Sequence, residues 1–363
     1  MGGKINIPQF FFIFLLSTGL SNHVLIIPLL IDVAGRDAWI SVIVGYLISA
    51  LFMFLLVFVS RHFKERSVFE WLEIAYRPVL SRLLAICLII FLLITGWITF
   101  KETISWTNET YLPNTPMFII GFSILAASLY ISIGKINVIA ICAGVLLPFV
   151  IVFGLFVTIG TIPDKDYSLI TPILVENSWI NVINGVVLVF GSNIEVFLLL
   201  FLQQHIIRKI NLSHLLLLTF FLSILTIGPL LGSIAVFGAE EVAALKYPAF
   251  FQWRILSIGT YFNHLDFLSI YQWLSGAFIR LALILYLITS AFNIKTKKGR
   301  LFIQSCVCVL YLIFLYVPIS DEHFILFLRD YFYYGSSLFA VIVTLLIAFL
   351  VWKSKDRRNL SEK

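Results

Sequence analysis

The sequence predicts an all-α integral membrane protein of ten transmembrane helices. It predicts a 5+5 inverted repeat whose first and sixth helices are broken. Three observations carry this expectation. Of 363 residues, 61% are hydrophobic and only 12% charged, with a mean hydropathy of +1.03. A soluble domain exposes too much surface to hide that much apolar area. The apolar residues fall into ten runs near the ~20 helical residues that a bilayer core requires. Finally, the first and sixth runs carry matching clusters of small and polar residues.

In chain order the runs cover roughly residues 8–31, 38–60, 81–101, 116–134, 137–160, 179–202, 213–237, 269–292, 301–319 and 332–352. The first repeat would span about 8–160 and the second about 179–352, with a basic tail at 353–363. Lys4 precedes the first run, but no small-residue cleavage site follows it and the apolar stretch continues past Pro28. It is therefore read as a span and not as a signal peptide. The cysteines (Cys87, Cys142, Cys306, Cys308) all lie in apolar runs and read as small buried hydrophobes, not as a disulfide or metal framework.

Loop charges set the orientation. Lys4, Arg61, Lys64, Arg66, Arg77, Arg82, Lys135, Arg208, Lys209, Lys295, Lys297, Lys298, Arg300 and the tail Lys353, Lys355, Arg357 and Arg358 fall on one side. Asp32, Asp37, Glu102, Glu109, Asp164, Asp166, Glu176, Glu240, Glu241, Asp266, Asp321 and Glu322 fall on the other, with few basic residues. The positive-inside rule places the basic side, with both termini, in the cytoplasm. The net charge of +6 thus reflects topology. It gives no reason to expect nucleic acid, and the tail reads as lying on anionic lipid.

The first run contains "FLLSTGLSNHVLIIP" (14–28) and the sixth "VFGSNIEVFLLL" (189–200). Aligning Gly19 with Gly191 also matches Val24 with Val196, and puts His23 and Glu195 at one offset. Because five spans separate them, the two segments cross in opposite senses, as in inverted-repeat transporters whose broken helices hold substrate near the midplane. The alternative is a pair of small-residue packing faces.

The stretch "GPLLGSIAVFGAEEVAALKYPAFFQWRILSIGTYFNHLDFLSIYQWLSGAFIR" (228–280), and above all "YPAFFQWRILSIG" (247–259), resembles the B subunits of spore germinant receptors, the spore-permease family. That family is similar to the amino acid–polyamine–organocation transporters, which have the LeuT-like fold. The resemblance implies a nutrient-sensing subunit in the inner membrane of a bacterial endospore. It would work beside an A subunit and a lipoprotein C subunit to trigger germination.

For a small-molecule nutrient such as an amino acid, a helix restarting after Gly19 would offer free N–H groups to a carboxylate. Thr18, Leu20 and Ser21 would lie beside it. Carbonyls freed at Gly191, with Ser192 and Asn193, would accept an ammonium group. Thr95, Trp97 and Thr99 on the third run are candidate pocket residues, with an outer interfacial belt the alternative for Trp97. Tyr271 and Trp273 read as outer-interface residues.

Glu195 and Arg280 are the charges deepest in apolar runs, where an unpaired charge costs about 2.5–3.5 kcal/mol. Glu195 reads as a ligand or proton contact, or as a hydrogen-bonded packing residue. His23 reads as a satisfied interhelical partner, with a ligand contact the alternative. Arg280 is a candidate fixed charge near the midplane, bridging carbonyls of the first helix in place of a sodium ion, with Glu195 as another possible partner; the alternative is a helix staple.

His205 and His214 read as a solvated turn, loop 61–80 as an interfacial helix, and 238–266 as short capping helices over a vestibule. The sequon Asn108-Glu109-Thr110 is a chance match. The sequence holds no phosphate-cradling glycine loop, zinc spacing or nucleophile elbow. It therefore predicts no cofactor, metal or enzyme. An independent proton- or sodium-coupled amino acid permease is the alternative function.

Overall fold

The computed structural model describes residues 3–63, 66–175, 177–259 and 264–361, with side chains as far as Ser354. Lys64, Glu176, residues 260–263 of the outer segment and the side chains of Lys355, Arg357 and Arg358 lie outside the described residues.

All ten predicted runs are helical. The first run forms α1 (Ile7–Leu20), a π-helical turn at Ser21–Leu25 and α2 (Ile26–Ala34). Next come α3 (Ala38–Phe63), a short α4 (Val68–Ala75), α5 (Pro78–Thr110), α6 (Met117–Ser132) and α7 (Ile136–Gly160). The sixth run is α8 (Trp179–Asn193) followed by a 3₁₀ stretch, Ile194–Phe201. Then follow α9 (Leu212–Phe237), the short α10 (Ala239–Ala243) and α11 (Pro248–Ile255), α12 (Leu268–Ala291) and α13 (Lys297–Phe314). The last run is α14 (Asp321–Phe327), a π turn at Leu328–Phe332 and α15 (Tyr333–Ser361).

Among the described residues there is no strand, and seven helical stretches are long and apolar enough to cross a membrane. One of these, Ile7–Phe63, covers both the first and the second predicted runs. It bends back on itself at Gly35, whose φ of +50° only glycine adopts readily. Asn22 Nδ2 donates to Tyr46 Oη at 2.9 Å. In one straight helix these residues would stand about 36 Å apart at ~1.5 Å per residue. α6, at 16 residues, and α13, with basic residues in its first turn, fall outside the seven.

Hydrogen bonds sort the loops into two ends. At one end Ile5 pairs with Ile206, Arg61 donates to Asn211 Oδ1, and Arg300 donates to the Gly134 carbonyl. At the other, Lys246 joins Glu109 and Asp321, Arg329 joins Asp32, and the Asp37 carboxylate accepts from Leu174 N–H and Asn177 Nδ2. These are the basic and acidic sets read from the sequence, although the acidic end holds cations of its own.

The first and sixth helices are irregular where expected, but neither opens into a gap. Pro28 lacks an N–H and its ring crowds the carbonyl of Val24, so an α-helix cannot pass unchanged. The chain inserts a π turn instead, with Ile26 N–H bonding the Ser21 carbonyl. No free N–H end therefore stands at Gly19, and the expected helix restart there is corrected. In the sixth run the helix tightens to 3₁₀ geometry after Asn193, and all eight residues of that stretch are buried. A 3₁₀ stretch this long is unusual and often marks a hinge or strain.

α12 is the central helix. It is buried on nearly every face and packs on α1, α5, α6, α7 and α13. A helix that is apolar all round belongs inside. Gly276 lets it approach α1 closely, since an added Cβ would stand 3.0 Å from the Leu20 Cβ.

Candidate ligand-recognition site

Arg280 projects from α12 with its side chain 1% exposed, and it pairs with Glu195 in the 3₁₀ stretch, 4% exposed. Its Nη1 donates to the Ser17 carbonyl at 2.9 Å. That carbonyl is available because Ser21 N–H bonds Thr18 O instead. The guanidinium thus joins α1, the sixth run and α12, as a planar fork of always-charged donors can. Both candidate partners expected for Arg280 are engaged together.

Around this pair, Ser21 Oγ and Tyr333 Oη on α15 share a hydrogen bond of 3.2 Å. Tyr46 Oη donates to the Leu222 carbonyl at 2.9 Å and meets Thr226 Oγ1 at 2.8 Å. His23 Nδ1–H donates to the Leu225 carbonyl at 3.2 Å. Leu225 O is free to accept because the residue four positions on is Pro229, which has no N–H. His23 is therefore the satisfied interhelical partner that the sequence suggested.

Several buried polar atoms here have no hydrogen-bond partner: Thr18 Oγ1, Asn22 Oδ1, Thr95 Oγ1, both amide atoms of Asn193, and Arg280 Nε. Leaving such an atom unmatched costs about 1–3 kcal/mol, and native interiors hold few of them. Thr18 and Asn22 lie at or beside the π turn, Asn193 at the 3₁₀ transition, Arg280 in the buried pair and Thr95 within α5, and the atoms include both donors and acceptors.

Other expected site residues face elsewhere. An added Cβ on Gly19 would meet Leu225 Cδ1 of α9 at 3.1 Å, and one on Gly191 would collide with the Tyr333 carbonyl. Both glycines are close-approach points between helices, and Leu20 packs on Gly276. The hydroxyls of Ser192 and Thr99 donate to carbonyls of their own helices, Val189 O and Thr95 O. Trp97 is half-buried against Phe324 of α14, ring centroids 5.7 Å apart.

Trp273 is a further correction. It is buried, stacked on Trp106 at 4.1 Å, with its indole N–H donating to Thr103 Oγ1. Tyr271 lies half-buried against Phe149 and Phe153. His205 is partly buried and bonded to Tyr286 Oη at 3.1 Å, and His214 Nδ1 caps α9 by accepting from Asn211 N–H; neither is a free solvated residue.

Sequence reasoning missed a polar knot at the acidic end. Lys246 Nζ lies 3.2 Å from Glu109 and 2.6 Å from Asp321, and Tyr247 Oη donates to the buried Glu102 at 3.3 Å. Burial alone would lower the Lys246 ammonium, but Asp321, Glu102 and Glu109 outweigh it and hold it above the usual lysine range. Lys246 and Tyr247 also border a small cleft that reaches Val24 and Leu25 of the π turn. The knot joins segments far apart along the chain, so no local signal in the sequence pointed to it.

A bundle of long apolar helices with a buried ion pair between them has the build of an integral membrane protein. The chain belongs to the spore-permease family of spore germination proteins, whose description residues 4–323 match. It is 37% identical to "Spore germination protein XB" of Bacillus anthracis over 355 residues, 98% of this chain and 99% of that protein. It is also 23% identical to "Putative spore germination protein YfkT" of Bacillus subtilis (strain 168) over 274 residues, 74% of each. The family is not an enzyme class.

Proposed function

We propose that the chain is the nutrient-sensing B subunit of a spore germinant receptor. It binds a small amino acid between the first and sixth runs and passes occupancy to an A subunit and a lipoprotein C subunit in the spore inner membrane, with both termini cytoplasmic. Ten spans in two inverted repeats would carry this, residues 8–160 and 179–352. The matched irregularities at Ser21–Leu25 and Ile194–Phe201 support that arrangement.

The observation that carries the reading is the set of buried, unpartnered atoms at Asn193, Thr18 and Arg280 Nε. Arg280 Nε–H and the Asn193 amide N–H groups suit a carboxylate; the Asn193 and Asn22 carbonyl oxygens and the Thr18 hydroxyl suit an ammonium group. A zwitterion uses both kinds. Gly19, Leu20, Gly191 and Ser192 would then shape the site by setting helix approach, and Thr95 would line it. Membership in a germination family favours sensing over transport. Signalling requires that ligand bind one conformer better than another, and the two irregular helices are the elements that would shift.

Proteoliposomes holding this chain alone, offered each of the common L-amino acids in labelled form, separate the two functions. The expected result is saturable binding without concentrative uptake. Robust uptake driven by a proton or sodium gradient would make the chain a permease instead.

A further inference from the structure

Residues of the loop motif at 247–259 wall an open cavity at the acidic end. That cavity holds about 390 Å³ and is lined by Glu109, Lys246, Tyr247, Phe250, Arg254 and Asp266, among others. Small-molecule sites begin near ~300 Å³, so a small amino acid fits and a nucleotide or oligosaccharide would crowd it.

The charges sort into engaged and free. Lys246 is engaged by both Glu109, at 3.2 Å, and Asp321, at 2.6 Å. Arg254 is exposed; its guanidinium stands over the Phe251 ring at 5.5 Å, and among the described residues it has no carboxylate partner. Asp266 is half-buried and uses its backbone carbonyl to accept from Tyr111 Oη at 2.7 Å. Its carboxylate likewise has no ion-pair partner among the described residues. The wall thus offers one free cation, one free anion and an aromatic surface from Tyr247, Phe250 and Phe251.

We propose that this outer cavity is a second binding site, for a zwitterionic amino acid with an apolar side chain. Arg254 receives the carboxylate through its fork of donors, Asp266 receives the ammonium group, and the aromatic rings cover the side chain. α11 supports the site rigidly, because Trp253 is buried and donates to Gln272 Oε1 at 3.1 Å, while Gln252 is buried and donates to the Pro229 carbonyl at 2.9 Å. The site does not depend on binding at the centre.

The test uses photo-leucine, the diazirine analogue of L-leucine, on the full chain in lipid nanodiscs, with adducts mapped by mass spectrometry. The expected result is labelling on peptides covering residues 244–254 and 109–111. Excess L-leucine should suppress it, and Arg254→Gln and Asp266→Asn should each reduce it at least fivefold. Neither residue is fully buried, so the melting temperature of both variants should match the parent. Labelling confined to residues 17–22 and 191–195 overturns this site and leaves the central one standing. Outer labelling that neither L-leucine nor the variants diminish is nonspecific and also overturns it. Absence of any adduct removes both sites for ligands of this class.

Discussion

Replacing Arg280 by methionine is expected to destabilise the folded chain by about 3–5 kcal/mol, the usual result of removing one partner of a buried ion pair. The loss arises less from the attraction forgone than from Glu195, left buried without its counter-charge, and from the Ser17 carbonyl, left without its donor. The double variant Arg280→Met/Glu195→Leu should recover most of the stability, because well-packed apolar groups often replace a buried pair at little cost. Unfolding midpoints of the purified single and double variants give the coupling energy. A coupling below about 0.5 kcal/mol would contradict the pairing, since residues in one ion-pair network normally couple by ~0.5–3 kcal/mol. Because the guanidinium already supplies a fixed charge beside the first helix, the nutrient response of the parent chain should also persist in sodium-free buffer.

Truncating Trp106 to alanine is expected to cost a similar ~3–5 kcal/mol, through lost burial and the cavity left behind. Trp106 is fully buried on α5, stacked on Trp273 of α12 and edge-on to Tyr111 and to Phe250 of α11. It is the common contact of two long helices and the outer loop, so Trp106→Ala should loosen α11 as well as lower the unfolding midpoint. Trp106→Phe keeps a ring against Trp273 and should lose less than half as much. An unchanged midpoint for Trp106→Ala would show that this aromatic cluster does not anchor the outer segment.

The fold was legible where it depends on apolar run length and loop charge. Predicted spans and observed helices agree closely at α3, α7, α9 and α12, because in lipid a run of twenty apolar residues has little choice but a helix. α5 exceeds its predicted end, reaching Thr110 where 101 was expected, because Glu102, Thr103, Trp106 and Thr107 are buried inside the bundle despite their mixed polarity. Arg280 and Glu195 were legible as the deepest charges, and their pairing follows from the cost of leaving either alone.

Facing was not legible. A cluster such as Thr18, Gly19, Leu20 and Ser21 points around a helix in four directions, and the sequence does not say that Gly19 faces α9 while Leu20 faces α12. Nor did the polar residues reveal that Pro28 would be met by a π turn rather than a gap. Trp273 reads as interfacial because a tryptophan near a helix start commonly is; Trp106, Thr103 and Tyr247, all distant in sequence, enclose it. The Lys246 knot joins three separated segments, and no local pattern announces it.

The most direct test of amino acid sensing at the centre is a germination dose–response, across a panel of L-amino acids, in spores carrying Asn193→Leu. Both amide atoms of Asn193 are buried without partners, so an apolar replacement of similar size should leave the protein level unchanged or higher. If those atoms bind the nutrient, losing about 1.5–3 kcal/mol of hydrogen bonding to a charged ligand should raise the half-maximal concentration by roughly 10- to 100-fold at ~1.4 kcal/mol per decade. A response at the parent concentration, with the variant present at parental level, would contradict the placement of the nutrient between the first and sixth runs.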